Sequence, residues 1–286
     1  MRPTALLLLL AALLPLAPAA QAEELRLPWE SPAARVFQTI GTTDVEIAYY
    51  RPGVKGREIW GGLVPYGEVW RLGANEATRI SFTHPVKIEG HDVPAGTYAL
   101  FAIPGAKTWT LILNSQAQQW GAYFHDPEKD VVRFDAVPRP GEPVEWMSFA
   151  ITPTSDSSAV VEMAWEKLRV PFTVSVDVPG IVWGDIEKTL AGSPTADDYL
   201  AAARYAQRKG VRLDEAMAWL DTALELEEGF WAHETKAILL HGQGQHEAAL
   251  RHLARAREMA RGVAPQEYLD NLAKLEAQWR GDGVGE

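Results

Sequence analysis

Near Val178-Pro179-Gly180 the hydrophobic period of this 286-residue chain changes from two to that of a helix, so no single layer of regular structure accommodates both halves. Upstream, apolar residues alternate and β-branched and aromatic residues dominate. Short strands are expected at Val45 to Tyr49, Arg79 to Phe82, Tyr98 to Ile103, Trp109 to Leu113, Val131 to Phe134, Val144 to Ile151, Ala159 to Trp165 and Phe172 to Val176. Turn chemistry separates them, at Glu89-Gly90, Pro94-Ala95-Gly96, Pro104-Gly105, Pro138 to Pro143 and Thr154 to Ser158. With no helix-length segment between the strands, the expected domain over 23–178 is an antiparallel all-β sandwich. Ala159, Val161, Met163 and Trp165 are expected to face inward.

Downstream, a linker over 179–194 is expected to lead into an all-α helical-repeat domain over 195–282. Asp197 and Asp198 suit a helix N-terminus. Gly210 and Gly244 follow two helical runs at a spacing of 34, and Ala216, Leu220, Ala223 and Leu226 reappear as Ala249, Leu253, Ala256 and Met259 at a spacing of 33. Two helix-turn-helix units of that period resemble tetratricopeptide repeats, with a last helix over about Pro265 to Trp279 covering the second unit. Such a surface is expected to hold a protein or peptide partner.

Residues 1–22 carry Arg2, an apolar run from Ala5 to Leu14 and the triplet Ala20-Gln21-Ala22, which reads as a signal peptide cleaved before Glu23. The expected product is exported and soluble, periplasmic or secreted, with no membrane association after cleavage. The absence of cysteine excludes a lipid-attachment thiol, disulfides and thiol catalysis. A formal charge of −11 disfavours nucleic acid as a partner.

One stretch, Arg51 to Thr78 (RPGVKGREIWGGLVPYGEVWRLGANEAT), fits neither period. Its glycines imply left-handed or closely approached backbone, and tryptophans beside arginines make it the expected ligand surface. Arg51, Lys55, Arg57, Trp60, Tyr66, Trp70, Arg71, Asn75 and Glu76 are the candidate binding residues for a small ligand or glycan. Within this set Arg71 is expected to be structural and Lys55 and Arg57 to be surface groups. Ion pairs between the loop acids, Glu58 and Glu68 included, and Arg57 or Arg71 are expected to fix the loop.

An alternative is an envelope-carbohydrate hydrolase working through two of Glu58, Glu68, Glu76, Asp126 and Asp130. The chain contains no HExxH, GxSxG, P-loop or GxGxxG, so no metal, cofactor or catalytic nucleophile is indicated. His241 and His246, five apart across a Gly-Gln-Gly turn, are expected to face water.

The Arg51 to Thr78 stretch, together with Ser31-Pro32, Gln38 to Gly41, Pro94 to Tyr98, Ile103-Pro104, Gln119 to Ala122 and Trp165 to Phe172, resembles the bacterial domain-of-unknown-function family 2911. The resemblance runs from about Ser31 to Val178. It departs from the usual pattern at Tyr50, where the family carries a small hydroxyl residue before Arg-Pro. It implies a domain and supplies no activity or catalytic residues.

Overall fold

The computed structural model describes residues 27–282, so the expected leader lies outside the described residues. Ten strands precede six helices among them. β1 (Ala33–Ile40), β2 (Thr43–Tyr50), β3 (Thr78–Phe82), β6 (Gly96–Ile103), β7 (Trp109–Asn114) and β8 (Asp130–Ala136) form one antiparallel sheet in the order β1-β2-β3-β6-β7-β8. A second antiparallel sheet has the order β5-β4-β10-β9, from β4 (Val86–Ile88), β5 (His91–Val93), β9 (Arg139–Ser155) and β10 (Ser158–Ser175). One apolar cluster draws residues from both, including Ile47, Leu100 and Leu111 from the first and Met147, Val161, Met163 and Trp165 from the second. Ala159, Val161, Met163 and Trp165 are all buried, as alternation demands.

Two expectations are corrected here. Ala159 to Trp165 and the expected strand from Phe172, which ends at Ser175, belong to the single strand β10, which passes Glu166 at φ 50° through irregular register. Pro138 to Pro143 is not wholly a turn: Arg139 onward belongs to β9, an edge strand, where a proline can present its missing N–H outward. Pro171 is tolerated because β9 pairs with β10 only as far as Arg169 and β4 only from Val174.

The stretch read as a linker holds helix α1 (Val178–Leu190), whose Val178 and Ile181 pack on the sheet core. A Cβ on Gly41 would lie 2.3 Å from a Val178 methyl, which gives one reason for glycine in that turn besides its φ of 61°. Then follow α2 (Ala196–Lys209), α3 (Leu213–Leu226), α4 (Phe230–Gly242), α5 (His246–Ala260) and α6 (Gln266–Asp282). Thr195 and Asp198 form a reciprocal capping box on α2, and Gly210 ends it in the left-handed conformation. Ala216, Leu220 and Ala223 are buried on α3 and Ala249, Leu253 and Ala256 on α5; Leu226, at 58% exposure, departs from the pattern. Leu272 and Trp279 of α6 close the cluster between α4 and α5. His241 does not simply face water: its ring stacks on Trp279 at 4.2 Å, and its Nδ1 lies 3.1 Å from that of His246.

Candidate binding site

The segment between β2 and β3 leaves the sheet and folds over the end of the core. It is tied down by single bridges, Gly53 to Trp146, Trp70 to Ala102 and Glu76 to Trp120. Its own Ile59, Val64, Trp70, Leu72 and Ala74 are buried. Its tryptophans do not lie open as a platform. Trp60 and Trp70 pack with Trp109 of β7 and Trp165 of β10, with Trp70 stacked on Trp165 at 5.8 Å. Three non-glycine residues, Lys55, Leu72 and Asn75, take φ of 48°, 51° and 55°, a conformation costing about 1–2 kcal/mol each.

Leu72 is held in that state by neighbours on both sides. Thr78 Oγ1 donates to Leu72 O at 2.7 Å, Thr78 N to Arg71 O at 3.1 Å, and Trp70 Nε1 to Gly73 O at 3.2 Å. A Cβ on Gly73 would sit 2.9 Å from Thr78 Oγ1, so the close turn requires glycine. Arg71 therefore leaves a fixed backbone, and its side chain lines a cavity of about 360 Å³ with Lys55, Arg57, Asn75, Trp70 and Trp165.

Within that cavity the cations differ. Arg57 is engaged by its own turn, its Nη2 donating to Gly53 O at 2.6 Å and its Nε to Val54 O at 3.1 Å. Lys55 lies 3.7 Å from the exposed carboxylate of Glu30, and its backbone N–H donates to Glu145 Oε1 at 2.9 Å. Arg71 Nε is buried without a hydrogen-bond partner, and no carboxylate among the described residues lies within ion-pair distance of its guanidinium. Burial lowers the Arg71 pKa, with Tyr123 opposing the shift; an arginine in such a place remains charged.

The ion pairs expected between the loop acids and Arg57 or Arg71 are thus absent among the described residues. Glu58 and Glu68 are exposed, and the turn at Lys55-Gly56 offers Arg57 carbonyl oxygens instead. Lys55 and Arg57 are exposed, with the Arg57 guanidinium tied to backbone carbonyls, while Arg71 is half-buried. Of the other candidates, Arg51 reaches β9, donating from Nε to Met147 O at 2.8 Å. Tyr66 lies over Gly61 and outside the cavity lining. Asn75 Nδ2 donates to Ser31 O at 3.4 Å, and Glu76 lies 3.9 Å from Arg79.

The carboxylates proposed for hydrolysis are dispersed in role. Asp126 caps the 3-10 turn Pro127–Lys129 by accepting from Glu128 N. Asp130 accepts from Asn114 Nδ2 at 2.8 Å, sits 2.9 Å from His125 Nε2, and pairs with Arg133. Burial would raise its pKa, but the hydrogen bonds from Asn114, Arg133 and His125 outweigh it and the net shift is downward. No cluster of three or more acidic or histidine residues suited to a metal occurs among the described residues, and no described helix is long and apolar enough to cross a membrane.

Residues that the loop-centred reading missed come from the segment after β7. Gln119 is buried and donates from Nε2 to Asn114 Oδ1 at 3.2 Å and to Gln116 O at 2.7 Å, which leaves its buried Oε1 without a partner. Trp120 beside it is 52% exposed and lies 6.3 Å from Trp29, itself 58% exposed. The signal available in the sequence was the Gln119 to Ala122 segment already noted among the recognisable motifs.

The family model described as "Protein of unknown function (DUF2911)" matches residues 31–174. No curated protein and no solved structure matches the chain.

Proposed function

The chain belongs to the DUF2911 family of proteins of unknown function, and from that premise we propose that it is an exported, non-enzymatic binding module that holds a small anionic ligand in the cavity beside Arg71. The observation that carries this reading is Arg71, a half-buried cation in the cavity lining whose buried Nε has no partner and which has no carboxylate within ion-pair distance among the described residues. A desolvated charge without a counterion is costly, and an oxyanion supplied by a ligand removes that cost with charge-assisted hydrogen bonds. Lys55 and Arg57 add two further positive charges to the same lining and Glu30, 3.7 Å from Lys55, one negative charge, so the lining is net positive. The dispersed roles of Asp126 and Asp130 favour binding over carboxylate-pair hydrolysis.

On this reading the two sheets stack as a sandwich, an arrangement supported by the apolar cluster they share. The helices form tetratricopeptide-like pairs, supported by the buried alanine and leucine positions repeated on α3 and α5. The helical region takes a protein or peptide partner. Arg204 of α2 lies 5.0 Å over the ring of Trp231 of α4, which packs at 4.8 Å on Tyr268 of α6, so three helices offer one polar-aromatic surface.

The test uses tryptophan fluorescence, because Trp70 and Trp165 line the cavity. Titrating the full chain with inorganic phosphate and with galacturonate monosaccharide at low ionic strength should give a saturable change for at least one of them. Arg71→Gln should weaken that binding by about tenfold or more, the equivalent of about 1.4 kcal/mol or above. No saturable change with either anion contradicts the reading.

A further inference from the structure

The geometry points to a two-histidine chelating site for a divalent transition-metal ion at the turn between α4 and α5, formed by His241 and His246. It lies in the helical region and does not depend on the anion-binding reading above. The observation that carries it is the convergence of two like nitrogens: Nδ1 of His241 and Nδ1 of His246 are 3.1 Å apart. Two imidazole nitrogens on one ion, each about 2.0–2.1 Å from it, are separated by about 2.9–3.4 Å for angles between a right angle and the tetrahedral one. The observed spacing falls within that interval.

The pair is set before any ion arrives. The His241 ring lies flat on Trp279, 4.2 Å away and inclined by 8°, and Trp279 is itself buried in the helical core. His246 is the first residue of α5, after a turn closed by its own backbone: Gly244 N donates to His241 O and Gln245 N to Leu240 O, both at 2.9 Å, with Gly244 in the left-handed region at φ 76°. Two donors fixed across so short a turn lose little freedom when an ion joins them. His246 is exposed and His241 partly so, which leaves the other coordination positions to water or to a donor from a bound partner.

A hydrogen bond between the two rings accounts for the same spacing only with unlike tautomers, one ring carrying its hydrogen on Nδ1 and the other on Nε2. Nothing among the described residues selects that combination, since neither Nε2 has a hydrogen-bond partner. With both hydrogens on Nε2, two lone pairs converge and a cation satisfies both. The second histidine pair of the same two helices is less suited: His233 and His252 bring Nδ1 atoms to 2.8 Å, but they lie near the positive charges of Lys236 and Arg251, which oppose a further cation. Two imidazoles select copper, nickel or zinc over magnesium or calcium, which prefer oxygen.

The deciding experiment titrates the full chain with nickel chloride, followed by calorimetry and by tryptophan fluorescence, with magnesium chloride as the comparison. Nickel is expected to bind saturably and to quench part of the fluorescence, because the paramagnetic ion sits on the ring that stacks against Trp279; magnesium is expected to do neither. His241→Phe keeps a flat ring against Trp279 but has no nitrogen, and His246→Asn changes an exposed side chain. Each should weaken nickel binding by about tenfold or more, while His91→Asn, at an exposed histidine of β5, should leave it unchanged. No saturable nickel binding, or an affinity that neither variant alters, overturns the site. Weakening by only one of the two variants shows a single histidine at work and overturns the chelate, and magnesium binding as tightly as nickel overturns the imidazole assignment. None of these results bears on anion binding beside Arg71, which is read with phosphate and galacturonate.

Discussion

Gln119 is held by a relay of side chains that ends at Asp130. Asp130 accepts from Asn114, whose Oδ1 accepts from Gln119, and Asn114 Nδ2 also donates to Asp126 O at 2.9 Å. The Asp130 and His125 side chains are each only 6% exposed, so truncating one strands the other. Asp130→Ala is expected to cost about 3 kcal/mol of stability. Because folding lowers the Asp130 pKa below its ordinary value of 3.8, its contribution is complete above that value and is lost as pH falls through the lower folded value. Acid unfolding followed by circular dichroism should show a loss below about pH 4 in the wild type that is smaller in Asp130→Ala, the lowered carboxylates of the helices remaining; equal acid sensitivity in both would refute the relay. At this scale the sequence revealed Arg71 and Gln119 as residues in distinctive motifs. It did not reveal that Arg71 Nε and Gln119 Oε1 are buried without partners, because burial and pairing depend on segments that lie far away in the chain.

At the scale of elements, alternation located the strands and helical period located the helices, and the errors have physical sources. β1, β4 and β5 escaped notice: β1 carries Arg35, Gln38 and the exposed Phe37, and β4 and β5 have three residues each, too few for a period to register. β10 was divided in two because Glu166 and Lys167 interrupt its apolar face at the irregular pairing. In the helices, capping chemistry was legible at Asp198, while the contact between α4 and α5 was not. His233 and His252 meet there, Nδ1 to Nδ1 at 2.8 Å, with His233 also 3.2 Å from Glu228. Burial, reinforced by Lys236, His233 and Arg251 and opposed by Asp221, lowers the His252 pKa from 6.5 to about 4. The unfolded chain therefore binds this proton more readily than the folded one. Stability from this site is full above pH 6.5 and declines as pH falls toward 4. His252→Asn should flatten that decline in chemical denaturation monitored at the helical signal, and an unchanged slope would show that the histidine pair does not control it.

Across the whole molecule, the sheet region holds the cavity beside Arg71 and the helical region follows on α1, whose Val178 and Ile181 are packed into the sheet core. The change of period near Val178 thus located a change of architecture, while the intimate packing across it is visible only once the Gly41 turn and α1 are brought together. On the proposed reading, Arg71 is kept without a counterion for a ligand at a cost to the folded chain. A residue that serves function against stability has a thermal signature opposite to that of a structural ion pair. Calorimetric melting of ligand-free Arg71→Met tests this most directly. The expected melting temperature is equal to or a few degrees above that of the wild type, together with loss of anion binding; a fall of several degrees in the absence of ligand would show that Arg71 holds the loop and is not reserved for a ligand.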